Sequence, residues 1–365
     1  MTITLNKRDF LEKLTIASHF ISNRFSGGGI LQGILLKIEG KTAHFYSTNL
    51  SSYYHSTLPC TAAADVSLVI DTKKILEFLG FLEEGEMTIQ IEKEKIQIHQ
   101  GKVNGSFPLM KQEDFPLPPP TTEKKAGMKK EFFTKNMPLV LFSAAKDDTR
   151  PALSGVNFVD MENAVGIVTT DGFRLSLLKI NKEIDFKPML IPSGFLYEVI
   201  KHIKNQGDVV FSYSEKEKTI MFSTGEDEFY SRLIDGEFPP FEKVIPLEKR
   251  TTVVLDKEEL LKNIKLVSIF ARDASNIVIC EFSQRGLVLR PKTEAGQENM
   301  AQQDTEHEGE DQRVAFNYRF ILEFLNNIEA KKVSIEILRA DAPIVFKIEG
   351  RKEYLHIIMP VRVQE

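Results

Sequence analysis

The chain has 365 residues, more than one hydrophobic core of ordinary size accommodates, so its length predicts two or three domains. Hydrophobic residues make up 42% and charged residues 27%, as is usual for soluble globular proteins. The formal net charge of −5 excludes a generally basic protein, whose composition alone would indicate nucleic-acid binding.

Neither a membrane segment nor a signal peptide is expected. No apolar run reaches the roughly 18 residues of a membrane span, and no basic and apolar leader follows Met1. The only cysteines, Cys60 and Cys280, lie far apart beside apolar or small residues. We expect them to be buried free thiols of a protein in the reducing cytoplasm.

The acidic charge is concentrated in one stretch, from Lys292 to Arg313. Seven acids against two bases give this stretch a charge of −5, which equals the formal charge of the whole chain. The other acids and bases balance, so a local basic surface is compatible with the composition. We expect the acidic stretch to be a strand or a loop.

The first part of the chain predicts two amphipathic helices and a β-hairpin. Asn6 and Asp71 are capping residues, and apolar residues follow each of them at helical spacing. Residues 87–99 alternate between apolar and polar around a charged turn, as expected of an antiparallel hairpin. Three prolines at 118–120 precede a polar segment, residues 121–127, which we interpret as a linker.

The same series of elements follows in the second part of the chain. A weaker helix is predicted from about Lys129. Because proline does not fit a helix interior, Pro138 requires this helix to start near Asn136 or to be kinked. A second helix is predicted after Pro192, and residues 209–222 alternate as a hairpin.

The third part repeats the series after a charged segment, residues 247–251, which we interpret as a second linker. Asp256 opens one predicted helix, which extends to about Phe270, and Asn317 opens another. Residues 333–348 again alternate as a hairpin.

The two kinds of helix recur with one period. Starts of the first kind, at 6, 129 and 256, are 123 and 127 residues apart, and starts of the second kind, at 71, 192 and 317, are 121 and 125 residues apart. Two independent markers with one period predict three copies of one α+β unit, each with two helices packed on antiparallel sheet. We place these domains at residues 1–122, 128–247 and 251–365.

The six predicted helices carry a weak positive charge, with fourteen basic and ten acidic residues. Such lysines usually belong to a solvated helix face. Their recurrence in all three units favours a shared lining that contacts phosphates without reading bases. The candidate residues for this lining are Lys7, Lys13, Lys201, Lys204, Lys262 and Lys265.

Several short motifs support a family resemblance. Residues 169–176 read Thr-Thr-Asp-Gly-Phe-Arg-Leu-Ser, with a turn at Asp171 and Gly172 between two predicted strands. The other motifs are Asp114-Phe115-Pro116, Asp235-Gly236 followed by Phe238–Pro246, Phe316–Phe320, and Tyr354–Arg362. In order, spacing and length they resemble the bacterial sliding clamp, the β subunit of DNA polymerase III, with Phe173 where that family has His.

The resemblance implies three clamp domains in each chain and two chains joined head to tail in a six-domain ring. Such a ring encircles duplex DNA without sequence preference and confers processivity on the replicative polymerase. The implied partners are the catalytic subunit of DNA polymerase III, the clamp-loader complex, other clamp-binding polymerases and repair proteins, and a second copy of the chain. The resemblance implies no cofactor, and it implies a cytoplasmic location at the nucleoid.

In that family, a shallow apolar pocket between the second and third domains receives a short peptide from polymerases and clamp loaders. Carried over by motif, Leu175 and Met359 offer apolar depth, and Arg174 and Arg362 orient polar groups of the partner. Ordinary core packing is the alternative for each apolar member. The full set is Leu153, Thr170, Gly172, Phe173, Arg174, Leu175, Pro239, Lys243, Val244, Asn317, Phe320, Ile357, Ile358, Met359, Pro360, Val361 and Arg362.

The resemblance also implies a DNA contact and a dimer interface. Arg24 aligns with an arginine that contacts DNA from an inward loop, and the glycines after it lack the Gly-Lys-Ser/Thr sequence of a phosphate-binding loop. The acidic stretch is expected to attract Lys73 or Lys74 of the partner chain. The expected contacts join one edge, Lys73, Lys74, Phe107 and Leu109, to another, Phe270 and Ala271.

No catalytic centre is recognisable. The seven histidines are scattered, none has metal-ligand spacing to another His or Cys, and Gly-x-Ser-x-Gly is absent. We therefore expect a non-enzymatic protein without catalytic or metal-binding residues. Two alternatives stay open: a nucleotide-handling hydrolase or phosphotransferase that uses Asp171 as nucleophile or metal ligand, and a repeat scaffold that binds proteins but not DNA.

Overall fold

Antiparallel strands dominate the computed structural model, which describes residues 1–22, 29–111, 114–120, 126–147, 149–182, 187–203, 207–273, 275–292 and 299–362. The helices are α1 (Lys7–Ser18), α2 (Thr72–Phe81), α3 (Pro138–Leu141), α4 (Ser193–Ile203), α5 (Lys257–Ala271) and α6 (Tyr318–Asn326). The strands are β1 (Thr2–Asn6), β2 (Ile34–Glu39), β3 (Thr42–Thr48), β4 (Ser52–Pro59), β5 (Thr61–Ala62), β6 (Val66–Ile70), β7 (Glu86–Ile91), β8 (Lys95–Gln100), β9 (Val103–Met110), β10 (Ala126–Met128), β11 (Gly155–Met161), β12 (Ala164–Thr170), β13 (Arg174–Asn181), β14 (Met189–Pro192), β15 (Val209–Ser214), β16 (Thr219–Thr224), β17 (Asp227–Arg232), β18 (Thr251–Asp256), β19 (Ile277–Ser283), β20 (Gly286–Pro291), β21 (Ala301–Gln303), β22 (Glu306–Gly309), β23 (Gln312–Asn317), β24 (Lys332–Ile337), β25 (Ile344–Ile348) and β26 (Tyr354–Ile358).

Four helices begin at the residues that the sequence marks as caps, namely Asn6, Asp71, Asp256 and Asn317. In each case a side-chain oxygen accepts a hydrogen bond from a backbone N–H of the first turn. This satisfies a donor that has no partner within the helix itself. α4 begins directly after Pro192, as predicted. The predicted starts of these five helices are confirmed.

The weaker helix predicted near Lys129 is interrupted. Residues Phe132–Asn136 form a π-helical turn, and α3 is a single short turn that begins at Pro138. Proline is tolerated at the first position of a helix because its missing N–H would have no partner there. The predicted interruption is confirmed, although the helix after it is much shorter than the sequence suggests.

Dense contacts divide the chain into two compact units. Unit 1 comprises residues Met1–Lys130 and Phe195–Leu233, and unit 2 comprises residues Glu131–Gly194 and Ile234–Glu365. The middle one of the three predicted domains therefore contributes to both units. Its strands β15–β17 belong to unit 1, and its strands β11–β14 belong to unit 2.

In unit 1, thirteen strands form one sheet in the order β10-β15-β16-β17-β4-β3-β2-β6-β9-β8-β7-β1-β5. The pairing of β17 with β4 places Phe229 opposite Tyr54 and Asp227 opposite Ser56. The rings of Tyr54 and Phe229 pack against Phe20, with centroid distances of 5.8 Å and 5.7 Å to its ring. An aromatic core therefore lies where strands of the first and second predicted domains meet.

In unit 2, nine strands form one sheet in the order β14-β11-β12-β13-β26-β25-β24-β18-β22, and four strands form a second sheet in the order β21-β20-β19-β23. α5 and α6 pack against each other. Phe324 of α6 stacks on the buried ring of His356, with centroids 5.0 Å apart. The described part of the acidic stretch, residues 299–313, contains β21, β22 and the start of β23, so it is mainly strand.

Three smaller expectations have clear outcomes. Cys60 and Cys280 are buried and free, as expected. The described end of the segment interpreted as the first linker is not a linker, because Ala126–Met128 form β10 and pair with β15. Leu247 is 98% exposed, as suits the second linker, although β18 already begins at Thr251. Within the described ranges, no helix is long and apolar enough to cross a membrane.

Candidate functional site

Strands β13 and β26 lie side by side in unit 2 and support an apolar cavity of about 220 Å³. Leu175 and Ile357 are paired directly across these strands, and both side chains are buried. The lining residues are Arg150, Leu153, Thr170, Gly172, Arg174, Leu175, Pro239, Pro240, Phe241, Val244, Ile357 and Met359. Nine of the seventeen residues predicted from motifs are thus brought together around one cavity.

The turn between β12 and β13 is fixed by its own side chains. Asp171 Oδ1 accepts hydrogen bonds from the backbone N–H groups of Phe173 and Arg174, at 2.9 Å and 3.1 Å, and Oδ2 accepts one from Arg174 Nε at 3.0 Å. Gly172 has φ +91°, which residues with a side chain rarely adopt. Asp171 therefore has a structural role in this turn, and both of its oxygens are engaged.

Arg174 is a buried part of the cavity wall. Its guanidinium forms ion pairs with Asp171 and Glu323 and lies over the rings of Phe142 and Phe320, 5.5 Å and 4.8 Å from their centroids. The expectation that Arg174 orients a polar group of a partner stays a prediction, and two carboxylates already pair with its guanidinium. The structure assigns it the task of holding the turn against α6.

Three lining residues were not found from the sequence: Arg150, Pro240 and Phe241. Phe241 is buried in a cluster with Leu175 and Ile357, and its backbone forms a short 3-10 helix, Phe241–Val244, after two prolines. The motif around Phe238 and Phe241 contained this residue, but its apolar side chain gave no sign of facing a cavity. Arg150 is exposed and precedes the 3-10 helix Pro151–Ser154, and in the sequence it lies outside all of the motifs.

The other eight predicted members do not line the cavity. Ile358 is fully buried on the other face of β26, because neighbouring side chains in a strand point in opposite directions. Phe173 is 64% exposed and stacks on Phe320, and Asn317 is occupied as the cap of α6. The eight residues are Phe173, Lys243, Asn317, Phe320, Ile358, Pro360, Val361 and Arg362.

Two of the lysines predicted to line DNA are engaged within unit 1. Lys7 is 5% exposed, and its Nζ lies 3.3 Å from Glu84 Oε1. Lys13 Nζ donates a hydrogen bond to Asp227 Oδ1 at 2.7 Å, and both side chains are largely or wholly buried. Neither lysine presents a free charge to a phosphate, so these two predictions are corrected.

The buried carboxylate of Asp227 explains why Lys13 is held in place. Burial works against its charged form, but hydrogen bonds from Lys13 and Tyr54 outweigh that effect and lower its pKa below the ordinary value. The Tyr54 hydroxyl donates to the same carboxylate at 2.6 Å. A buried carboxylate needs such partners, because an unpaired charge in a protein interior is strongly unfavourable.

The remaining candidates for DNA contact differ in their surroundings. Lys201 on α4 is exposed and pairs with Glu198 at 3.0 Å. Lys262 and Lys265 on α5 are exposed, and neither forms an ion pair with any residue in the part of the chain that the structure covers. Arg24 and Lys204 lie outside the described residues.

The predicted dimer contacts are partly accessible. Lys73 and Lys74 are exposed on α2, Leu109 is half-buried, and Phe270 is 44% exposed. Ala271 has no exposed surface, so its side chain is unable to contact a partner chain in this conformation.

Phe107 is also buried, with its ring 5.3 Å from that of Phe78, and the predicted contacts at Phe107 and Ala271 are corrected accordingly. Leu266 and Ile269, which the sequence did not single out, are exposed on α5 with Phe270. Their spacing of three and four residues places them on one helix face. Apolar residues at this spacing on the side of α5 that faces away from the core are the sequence signal by which they could have been found.

Three family models match consecutive stretches of the chain. They describe the DNA polymerase III beta subunit, with its N-terminal domain at residues 1–119, its central domain at residues 127–240 and its C-terminal domain at residues 242–362. The chain belongs to the DNA polymerase III beta subunit family. The predicted family and the predicted architecture of three α+β clamp domains are confirmed.

Individual relatives agree with this family. The chain is 23% identical over 377 residues to the beta sliding clamp of Treponema pallidum, with both chains covered completely. It is 25% identical over 308 residues to the beta sliding clamp of Halalkalibacterium halodurans, covering 81% of this chain and 80% of the other.

Solved structures with the same fold include the DNA polymerase III beta subunit of Thermotoga maritima, with a TM-score of 0.91 and 24% identity, and the sliding clamp of Bacillus subtilis, with 0.90 and 22%. Both comparisons cover 100% of both chains.

As a DNA polymerase III beta subunit, the chain has the function predicted from its motifs: it is a DNA sliding clamp that acts as a processivity factor in replication. The two alternatives, a hydrolase or phosphotransferase built on Asp171 and a scaffold that does not bind DNA, are not supported by these relatives. The geometry of Asp171 agrees, because both of its oxygens are committed to the turn.

Proposed function

We propose that the cavity of unit 2 binds short peptides from the partners of this sliding clamp. The observation that carries the proposal is the direct pairing of the two motif-bearing strands: β13 and β26 place Leu175 beside Ile357 at the base of one apolar cavity. Pockets for short ligands are typically apolar with a few polar groups that fix orientation. Met359 adds a flexible wall that adapts to different peptides.

The polar anchor for such a peptide is Arg150 in place of Arg174. Arg150 lines the cavity, its residue is exposed, and no ion pair to it occurs among the described side chains. The charge of Arg174 is already neutralised by Asp171 and Glu323. A carboxylate or amide oxygen of the peptide therefore finds its donor at Arg150, and a guanidinium suits it because it offers several donors in one plane.

The partners follow from this site and from the family. We expect the cavity to bind peptides of several partners, one at a time: the catalytic subunit of DNA polymerase III, the clamp-loader complex, and other clamp-binding polymerases and repair proteins. We also expect two chains to join head to tail in a six-domain ring. Exposed apolar side chains on α5, which are Leu266, Ile269 and Phe270, support an interface with a partner chain, because single chains rarely keep such groups together in water.

Encirclement requires little adhesion. Lys262 and Lys265 are exposed cations without a carboxylate partner among the described residues, and they suit weak contact with phosphates. A ring held by its topology needs no stronger grip and no base contact. We propose no catalytic step for the chain. Because it acts in replication, we expect it to be located at the DNA of the nucleoid, in the cytoplasm.

Topological retention on DNA tests the proposal. The clamp is loaded on nicked circular duplex DNA by a clamp loader with ATP, and the complexes are washed with salt that removes freely bound protein. We expect retention on the circle and loss after one double-strand cut, because a ring slides off an open end while its contacts stay the same. Light scattering should give twice the chain mass of 41.5 kDa. Equal retention on cut and circular DNA would mean adhesion and would refute encirclement.

A further inference from the structure

Three potential metal ligands from distant parts of the sequence meet in unit 1. His19 directly follows α1, and Glu198 and His202 lie four residues apart on α4, which places them on one helix face. One ligand atom from each of the three side chains lies within 4.8 Å of the other two. His19 Nδ1 is 2.8 Å from Glu198 Oε2. The histidine spacing in the sequence predicts no metal site, yet the fold brings these groups together.

The donor set suits a divalent transition metal. Imidazole nitrogen and carboxylate oxygen are ordinary ligands of Zn²⁺, at about 2.0–2.2 Å from the metal. Two ligands of a tetrahedral Zn²⁺ are consequently about 3.3 Å apart. One pair of ligand atoms is 2.8 Å apart and all three atoms lie within 4.8 Å of one another, so small side-chain rotations bring all three onto one ion.

The surroundings hold the ligands and leave one nitrogen unused. The ring of His202 stacks on Phe229 with the planes 7° apart, which fixes its orientation. Its Nε2 is buried and has no hydrogen-bond partner in the part of the chain that is described. The other oxygen of Glu198 accepts a hydrogen bond from Lys201 at 3.0 Å, which leaves the oxygen that faces His19 for the metal. Buried polar atoms without partners are rare, and a bound water or ion is one way to satisfy such an atom.

We propose that His19, Glu198 and His202 form a binding site for Zn²⁺ or a similar divalent transition metal, with the fourth position open to water. The site joins two family domains within unit 1, because His19 lies in the stretch matched as the N-terminal domain and the other two ligands lie in the stretch matched as the central domain. A bound metal thus cross-links these domains beside the aromatic core of Phe20 and Phe229. It stabilises the folded chain because the unfolded chain offers no preformed site.

Calorimetric titration of the full-length, EDTA-treated protein with ZnCl₂ tests the site. We expect one Zn²⁺ per chain and a melting temperature that rises with Zn²⁺ concentration. His19→Ala and His202→Ala should each weaken binding at least about tenfold, since loss of even an outer-shell partner costs 10–100-fold. His19 is exposed, so its replacement tests the site even if His202→Ala disturbs the packing on Phe229.

The matched control is His55→Ala. His55 and His44 form the other close pair of imidazoles in unit 1, with ring nitrogens 3.2 Å apart. Zn²⁺ binding should be unchanged in this variant, and circular dichroism should show that every variant is folded. The proposal is overturned if the wild-type protein binds no Zn²⁺ at one equivalent. It is equally overturned if His19→Ala binds as tightly as wild type, or if His55→Ala abolishes binding.

Discussion

Replacing Met359 by alanine tests the peptide cavity with little disturbance of the fold. Met359 lines the cavity and is partly buried, and its backbone N–H donates a hydrogen bond to the carbonyl of Phe173 at 2.8 Å, which the substitution keeps. The change removes three heavy atoms, each worth about 0.8 kcal/mol when fully buried. Most of that surface is already buried in the free chain, so the peptide covers only the remainder.

The expected loss of binding free energy is therefore up to about 1 kcal/mol, which is about fivefold in affinity. Calorimetry with a peptide from the C-terminal tail of a DNA polymerase III catalytic subunit measures it. Met300→Ala is the matched control, because Met300 is 48% exposed in unit 2 and does not line the cavity. Equal affinities of wild type and Met359→Ala, or equal losses in both variants, would refute the assignment of the cavity.

Truncation of Leu175 has a different effect from truncation of Met359, although both residues line the cavity. Leu175 is 3% exposed and packs with Ile357 and Phe241, so Leu175→Ala removes core contacts as well as cavity wall. Truncation of a buried leucine costs about 2–5 kcal/mol of folding free energy. A weaker peptide affinity in this variant is consequently interpretable only beside its melting temperature, whereas Met359→Ala reports binding directly.

Three further outcomes are expected. Burial, with the charge of Arg174 as a second cause, holds the pKa of His356 well below 6.5, so protonation favours the unfolded chain. The neutral His356 therefore contributes its full stability above pH 6.5, and the free energy of unfolding falls below that pH by up to about 1.4 kcal/mol per pH unit. Thermal melts of His356→Gln should show a weaker dependence on pH. Lys13→Met should cost about 3 kcal/mol because the buried Asp227 carboxylate loses its ion pair with Lys13. Chemical denaturation should show a smaller cost when Lys13→Met is combined with Asp227→Leu. The pair Lys262→Ala and Lys265→Ala should lower the salt slope of weak DNA binding by up to about 2, and an unchanged slope would exclude them from phosphate contact.

Local signals in the sequence predicted local structure well. Asn6, Asp71, Asp256 and Asn317 cap their helices as expected, because the hydrogen bonds of a cap involve only the next two or three residues. The threefold period and the turn at Asp171 were equally readable, since both depend on short stretches. These features carried the family assignment.

Features that join distant residues were not predictable in this way. Lys13 was predicted to face DNA because its partner, Asp227, is 214 residues further along the chain and the sequence gives no sign of the contact. Arg174 looked like a free anchor because Glu323 approaches it from α6. Ile358 shows a second limit: a motif gives the identity of a residue, whereas the strand decides on which face its side chain lies.

The pairing of β17 with β4 and of β13 with β26 determines how the chain responds to truncation. Each pair joins strands from neighbouring family domains through backbone hydrogen bonds, so a cut between those domains in the sequence strips a neighbour from a central strand. A fragment ending near residue 120 would present β4 as a bare edge, with Tyr53 and Tyr54 among its residues. Such an edge is a template for pairing with other molecules. Single domains of this clamp are therefore expected to aggregate when they are produced alone, although the whole chain keeps these strands covered.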